Sequence, residues 1–228
     1  MIQSHPFVLA SASPQRSTLL SQMGLEFSVH PVDMDEDHRK GEDARELVRL
    51  LAREKLELRL NTPGEYAPDS CILAADTIVA LDSHRLGKPA DAGQAEEFLG
   101  KLSGREHQVL TGLAIYLPAS ISADIPALEE HTPGEIQCAP PDSALNPDFA
   151  SGIIAVAHAV TNIALKNLDT DEIRAYLDWG EYEGAAGGYR VQGRAGCFLT
   201  GISGSYTNVV GLPIELLYAI LRRTSFWQ

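Results

Sequence analysis

The chain has 228 residues, 44% of them hydrophobic, and a formal net charge of −13. That length suffices for one large domain, or two closely fused lobes, with a substantial core. The charge, with no cluster of Lys and Arg, argues against a surface that binds DNA or RNA, whereas a local positive pocket for a small phosphorylated ligand stays compatible with it. No 18-residue apolar run occurs, and the start lacks a basic region followed by an apolar core, so neither membrane insertion nor export is expected. Cys71, Cys138 and Cys197 are odd in number and far apart, which indicates neither a disulfide framework nor a zinc cluster and makes the cytoplasm the expected location.

Phe7 to Ala10 reads as a strand, followed by Ser11-Ala12-Ser13-Pro14 and a helix that runs on to Gly24. Ser13 suits the helix cap, Pro14 its first turn and Gly24 a left-handed exit, with Leu19, Leu20 and Met23 on the packed side. The free amides at that helix start, with Ser11 and Arg16 beside them, make an anion cradle, although the same strand–Ser–Pro–helix pattern also serves as ordinary capping. Glu26 to Val29 reads as a second strand and leads into the acidic run Asp33-Met34-Asp35-Glu36-Asp37. A helix is expected from near Glu42 to Leu60, with Ala44, Leu47, Val48, Leu51 and Leu58 at helical spacing on one side. Lys55 falls four residues after Leu51 on that inward side, where it either snorkels to the rim of the core or reaches into a cleft.

Cys71 to Ala75 reads as a buried strand, and Asp76 follows where that strand should surface. Asp82-Ser83-His84 reads as a tight turn between Ile78–Leu81 and Arg85–Gly87. A three-residue loop would set Lys88 opposite Ile78 and on the face of Asp76. An acid and a lysine there suit a site for metal and phosphate, or equally an ordinary cross-strand ion pair. Asp91 opens a helix that packs Ala95, Phe98, Leu99 and Leu102 and ends at Gly104. Long strands are expected over His107–Leu117 and Ile153–Lys166, and Asp169 or Thr170 caps a helix containing Ile173, Tyr176 and Leu177. Cys197-Phe198-Leu199 suggests a strand, and Pro213 starts a last helix with Leu216, Leu217, Ile220 and Leu221 as its buried stripe. Between residues 118 and 151 stand six prolines and six acidic residues but no Lys or Arg. This stretch reads as a long, mostly irregular insertion at the end of a hairpin, with no catalytic role assigned.

Six blocks, in order, resemble the Maf family of nucleoside triphosphate pyrophosphatases: LASASPQR (Leu9–Arg16), AADT (Ala74–Thr77), LGKP (Leu86–Pro89), KLSGREH (Lys101–His107), GYRVQG (Gly188–Gly193) and NVVGLP (Asn208–Pro213). They cover nearly the whole chain except the central segment. The resemblance implies an α/β fold, related to inosine triphosphatase, in which a mixed elongated sheet is flanked by helices and two lobes surround a cleft. Residues 1–228 would form one domain carrying the insertion at about 118–151.

The implied reaction is hydrolysis between the α and β phosphates of a nucleoside triphosphate, which requires charge neutralisation and a positioned water. Arg16, Lys55 and Lys88 are the candidate phosphate cations, with Ser11 beside them. Asp76 matches the acid of the catalytic motif and is the candidate general base. Glu36 with Asp76 are candidate metal ligands, and hard oxygen donors suit Mg²⁺ or Mn²⁺ better than zinc. Thr77 and Gln192 match positions associated with base choice in the subgroup acting on dTTP and UTP, and the Gln192 amide can both donate to and accept from a pyrimidine edge. Asn208 either lines the same cleft or caps a turn.

Two positions depart from the family pattern. The usual Ser-Pro-Arg-Arg is Ser13-Pro14-Gln15-Arg16 here, which removes one charge and makes Gln15 a third candidate for base preference. The lysine that commonly precedes Ala-Gly in the glycine-rich block is Ala185. Preference for 7-methylguanosine triphosphate is the near alternative, against which the Thr77/Gln192 pair speaks. A nucleotide-binding regulator of cell division with little turnover is the alternative from another class. The resemblance also makes a homodimer an expectation.

Overall fold

A computed structural model of the chain describes residues 2–34, 43–64, 66–121, 123, 136–142 and 146–227. Its three longest strands, β3 (Cys71–Leu81), β5 (Glu106–Leu117) and β7 (Ile153–Leu165), grow from the longest apolar stretches and pair antiparallel side by side. Shorter strands complete one mixed sheet: β1 (Phe7–Leu9), β2 (Ser28–Val29), β4 (His84–Leu86), β6 (Gln137–Ala139) and β8 (Leu199–Ser203). Strand β1 runs parallel to both β2 and β3. The outer edge of β3 is shared, with β1 pairing at residues 71–73 and β4 at residues 79–81. Ala74 to Ile78 therefore have no strand partner on that side among the described residues, and Asp76 sits in the middle of this gap.

Side chains alternate across the sheet, so each long strand contributes to both faces. On one face lies α2 (Ala44–Asn61), whose Ala52, Leu56 and Leu60 pack on Ile72, Ala74, Ala114 and Tyr116. The opposite face carries two separate groups of helices. At one end α1 (Pro14–Gln22) and α6 (Ile214–Leu221) pack on Leu73, Ala75, Leu113 and Ile115. At the other, α3 (Ala92–Leu102) and α4 (Thr170–Asp178) pack with Val79, Leu81, Val109 and Ile163. The short α5 (Tyr206–Val210) contacts β5, β7 and α1. These are the mixed sheet and flanking helices that the resemblance implies. Among the described residues no helix is long and apolar enough to cross a membrane.

The helices with explicit start signals fall where expected. Ser13 accepts from the Arg16 amide, Asp91 from Gln94, and Asp169 forms a full capping box with Glu172. Three local expectations need correction. Leu58 is exposed: the inward face of α2 centres on Ala52 and Leu56, and Leu58 lies about 120° round the helix from Ala52. The β3–β4 turn has two central residues, Asp82 and Ser83, because Leu81 pairs with His84. That register puts Lys88 in line with Thr77, not Ile78. Arg194–Phe198 is a 3₁₀ turn and the strand begins only at Leu199, since Phe198 packs edge-on against Tyr176 from that turn. The central insertion, expected to be mostly irregular, includes two short elements among its described residues. Its β6 pairs with β7, and Phe149, in a 3₁₀ turn, packs against Tyr116.

Candidate active site

The gap in the edge of β3 opens into a pocket of about 500 Å³. The carboxyl end of β1 and the start of α1 form one wall, the segment after β4 another, and the glycine-rich stretch 184–192 a third. Ser11, Gln15, Arg16, Lys55, Asp76, Thr77, Lys88 and Gln192 all line it. Glu36 lies outside the described residues. Asp33, from the same acidic run, is on the wall.

Asp76 belongs to the face covered by α2. Its Oδ1 accepts a hydrogen bond from Lys55 Nζ at 2.5 Å, with the two side chains 5% and 11% exposed. Helix α2 can lie this close because the residue paired with Asp76 on β5 is Gly112. A Cβ at Gly112 would stand 1.9 Å from the Val48 carbonyl oxygen, inside the helix backbone. Asp76 Oδ2 is buried and has no hydrogen-bond partner among the described residues. A carboxylate oxygen buried without a partner is costly, so Asp76 Oδ2 would gain from a contact that an ion or a ligand group supplies. No cluster of three or more metal-ligating side chains occurs among the described residues.

Thr77 points to the other face and anchors Arg16. The Arg16 guanidinium donates from Nη2 to Thr77 Oγ1 (3.1 Å), from Nη1 to Ser11 Oγ (2.9 Å) and from Nε to the Gly211 carbonyl (2.8 Å). Thr111 donates to the Asn208 carbonyl at 3.0 Å, so its oxygen is left to accept from Thr77, also at 3.0 Å. Asn208 is fully buried and does not reach the pocket. Its Nδ2 donates to the Val109 carbonyl and Thr161 Oγ1, which seats α5 and hence Gly211 against the sheet. Ser13 Oγ, which already accepts the Arg16 amide, donates to Gln15 Oε1 at 3.1 Å. This turns the Gln15 amide group into a donor on the wall.

The glycine-rich wall is held from two sides. Gly187, at φ +71°, donates its N–H to the Gly87 carbonyl (2.9 Å) and packs so close to Val79 that a Cβ would meet Cγ2 at 2.8 Å. This contact ties the wall to the residue before Lys88 and brings Lys88 into the pocket although β4 ends at Leu86. Two residues along from Gly187, the Tyr189 hydroxyl meets buried His107 Nε2 at 2.6 Å. Burial pushes His107 down to about 4, so its ring is neutral at ordinary pH, and burial raises the Tyr189 phenol.

Among the described lining residues four are basic (Arg16, Lys55, Lys88, Arg190) and two acidic (Asp33, Asp76). In a chain of net charge −13, that local excess of cations marks a site for a multiply charged anion. Sequence reasoning singled out neither Asp33 nor Arg190 as a site residue. It also missed the His107–Tyr189 bond, although both residues stand in blocks quoted above. Ala185, where the family pattern has lysine, lies on the wall.

The family model described as Maf-like protein matches residues 6–224. Curated relatives similar to this chain carry the name dTTP/UTP pyrophosphatase. One from Hyphomonas neptunium is 40% identical over 212 residues, 92% of this chain and 91% of that protein. One from Pelotomaculum thermopropionicum is 36% identical over 96% of both chains, and one from Desulforamulus reducens is 36% identical over 95% of both.

Proposed function

The chain belongs to the Maf-like protein family, and we propose that its pocket hydrolyses nucleoside triphosphates to the monophosphate and pyrophosphate, with dTTP and UTP as preferred substrates. The observation that carries this reading is the convergence of Arg16, Lys55 and Lys88 with Asp76 on one pocket, from four separate parts of the chain. The names of the relatives support the choice of substrate.

Arg16, Lys55 and Lys88 receive the phosphate oxygens, and the amides at the start of α1 add donors from the same wall. Water attacks the α phosphorus while Asp76 accepts its proton. The bond to the bridging oxygen breaks, and pyrophosphate leaves with its charge held by the lysines. Rigid placement matters as much as charge, and Arg16 is held by Ser11, Thr77 and Gly211 before any ligand arrives.

The unpartnered Asp76 Oδ2 is the atom that fits a divalent ion, as Mg²⁺ and Mn²⁺ take one or two carboxylates together with substrate phosphates. Such an ion would supply further neutralisation of the phosphate charge. Glu36, the other ligand expected from the sequence, lies outside the described residues. Gln192, exposed on the wall, reads the pyrimidine edge together with Gln15. Thr77 acts on base choice through Arg16, to which its hydroxyl is committed. The same reading locates the protein in the cytoplasm.

The test is a panel of nucleoside triphosphates, including 7-methylguanosine triphosphate, incubated with Mg²⁺ or Mn²⁺ and assayed separately for pyrophosphate and orthophosphate. Pyrophosphate from dTTP and UTP is the expected result. Tight binding without turnover would favour the regulator, a reading to which the missing lysine at Ala185 lends some support.

A further inference from the structure

Lys55 and Asp76 are already joined before any ligand arrives. Their side chains are nearly buried, the contact is 2.5 Å, and the other oxygen of the same carboxylate has no hydrogen-bond partner among the described residues. With no side chain at Gly112, the backbone of α2 lies directly against β5, which sets the Lys55 ammonium beside Asp76. A divalent ion held by Asp76 Oδ2 would share one carboxylate with the Lys55 ammonium. In a partly desolvated pocket, two cations on the same carboxylate repel strongly.

We infer that Lys55 guards Asp76 against free divalent metal and admits the ion only together with a polyphosphate. The phosphate chain resolves the conflict, because its oxygens accept the Lys55 hydrogen bonds and also complete the coordination of the ion. Metal and nucleotide therefore load as a coupled pair, each tightening the other by the same factor. The pocket contains the partners such an exchange needs, since Lys55 and Asp76 open onto the space lined by Arg16 and Lys88. The consequence is economy of metal use: at low nucleotide the site stays ion-paired and holds no ion. This inference rests on the metal-dependent reading of the pocket.

The experiment measures Mn²⁺ binding by electron paramagnetic resonance in nucleotide-free protein. Wild type is expected to bind at least tenfold more weakly than Lys55→Gln, and the gain should vanish in the double variant Lys55→Gln/Asp76→Asn. Circular dichroism reports whether each variant is folded. A second arm needs no variant: affinity of wild type for α,β-methylene-UTP, by equilibrium dialysis, should rise at least tenfold when Mn²⁺ is added. The inference is overturned if nucleotide-free wild type binds Mn²⁺ as tightly as Lys55→Gln, if the gain survives Asp76→Asn, or if Mn²⁺ leaves analogue affinity unchanged. Metal-stimulated pyrophosphate release by wild type separates the two levels. If it holds while the Mn²⁺ arms fail, the guard alone is wrong; if it is absent, both fall.

Discussion

Replacing Gly112 by alanine tests whether the approach of α2 to the sheet builds the site. The added Cβ would stand 1.9 Å from the Val48 carbonyl oxygen and 2.3 Å from its carbon, both backbone atoms that no rotamer change can move. Restoring ordinary contact requires the helix to retreat by more than ~1 Å. The Lys55–Asp76 contact, 2.5 Å in the present structure, then passes out of hydrogen-bond range. Overpacking of this kind costs about 1–3 kcal/mol. A displacement of ~1 Å at reacting groups lowers turnover by about a hundredfold. Urea unfolding followed by circular dichroism and a pyrophosphate-release assay read the two effects. Gly100→Ala is the control, as it lies exposed in α3 with nothing within 4 Å of the new methyl group. It should stabilise by about 0.5–1 kcal/mol with turnover unchanged. Wild-type urea midpoint and wild-type rate for Gly112→Ala would refute the reasoning.

Two further outcomes are expected. His107 is neutral in the fold with its pKa pushed down to about 4 from 6.5, so the unfolded chain takes up the proton first as pH falls. Its contribution to stability is complete above about pH 6.5 and is lost toward pH 4, about 3 kcal/mol in all. Unfolding curves at pH 7.5 and 4.5 should therefore diverge less in His107→Gln than in wild type, and an equal divergence would count against the buried neutral ring. Gln15→Arg restores a guanidinium to the wall and should raise kcat/KM for dTTP or UTP by about tenfold to a hundredfold, the worth of one charged hydrogen bond. No change in any nucleotide would show that position 15 does not face the substrate.

Much of this architecture was legible because its signals are local. Ser13-Pro14, Asp91 and the Asp169–Glu172 pair announce their helices through side chains that bond amides three residues away. Lys55 was placed inward by periodicity alone, and it is inward. What stayed hidden depends on partners distant in the chain. The bond from Arg16 to the Gly211 carbonyl spans 195 residues, and no local pattern encodes it. The register of β3 with β4 turned on one residue of loop length, which sequence leaves open when Asp82 can adopt φ 52°. Leu58 was misplaced because a stripe of leucines defines a side of the helix without saying where the sheet ends. Gly112 did carry a signal, since a glycine inside an apolar strand marks close approach of another backbone.

The central claim is that Asp76 accepts the proton of the attacking water. It is tested most directly by Asp76→Asn, measured for unfolding, for binding of α,β-methylene-UTP and for turnover. The account expects a folded protein that still binds the analogue but releases pyrophosphate about a hundredfold to ten-thousandfold more slowly. Near-normal release by a folded Asp76→Asn protein would contradict it.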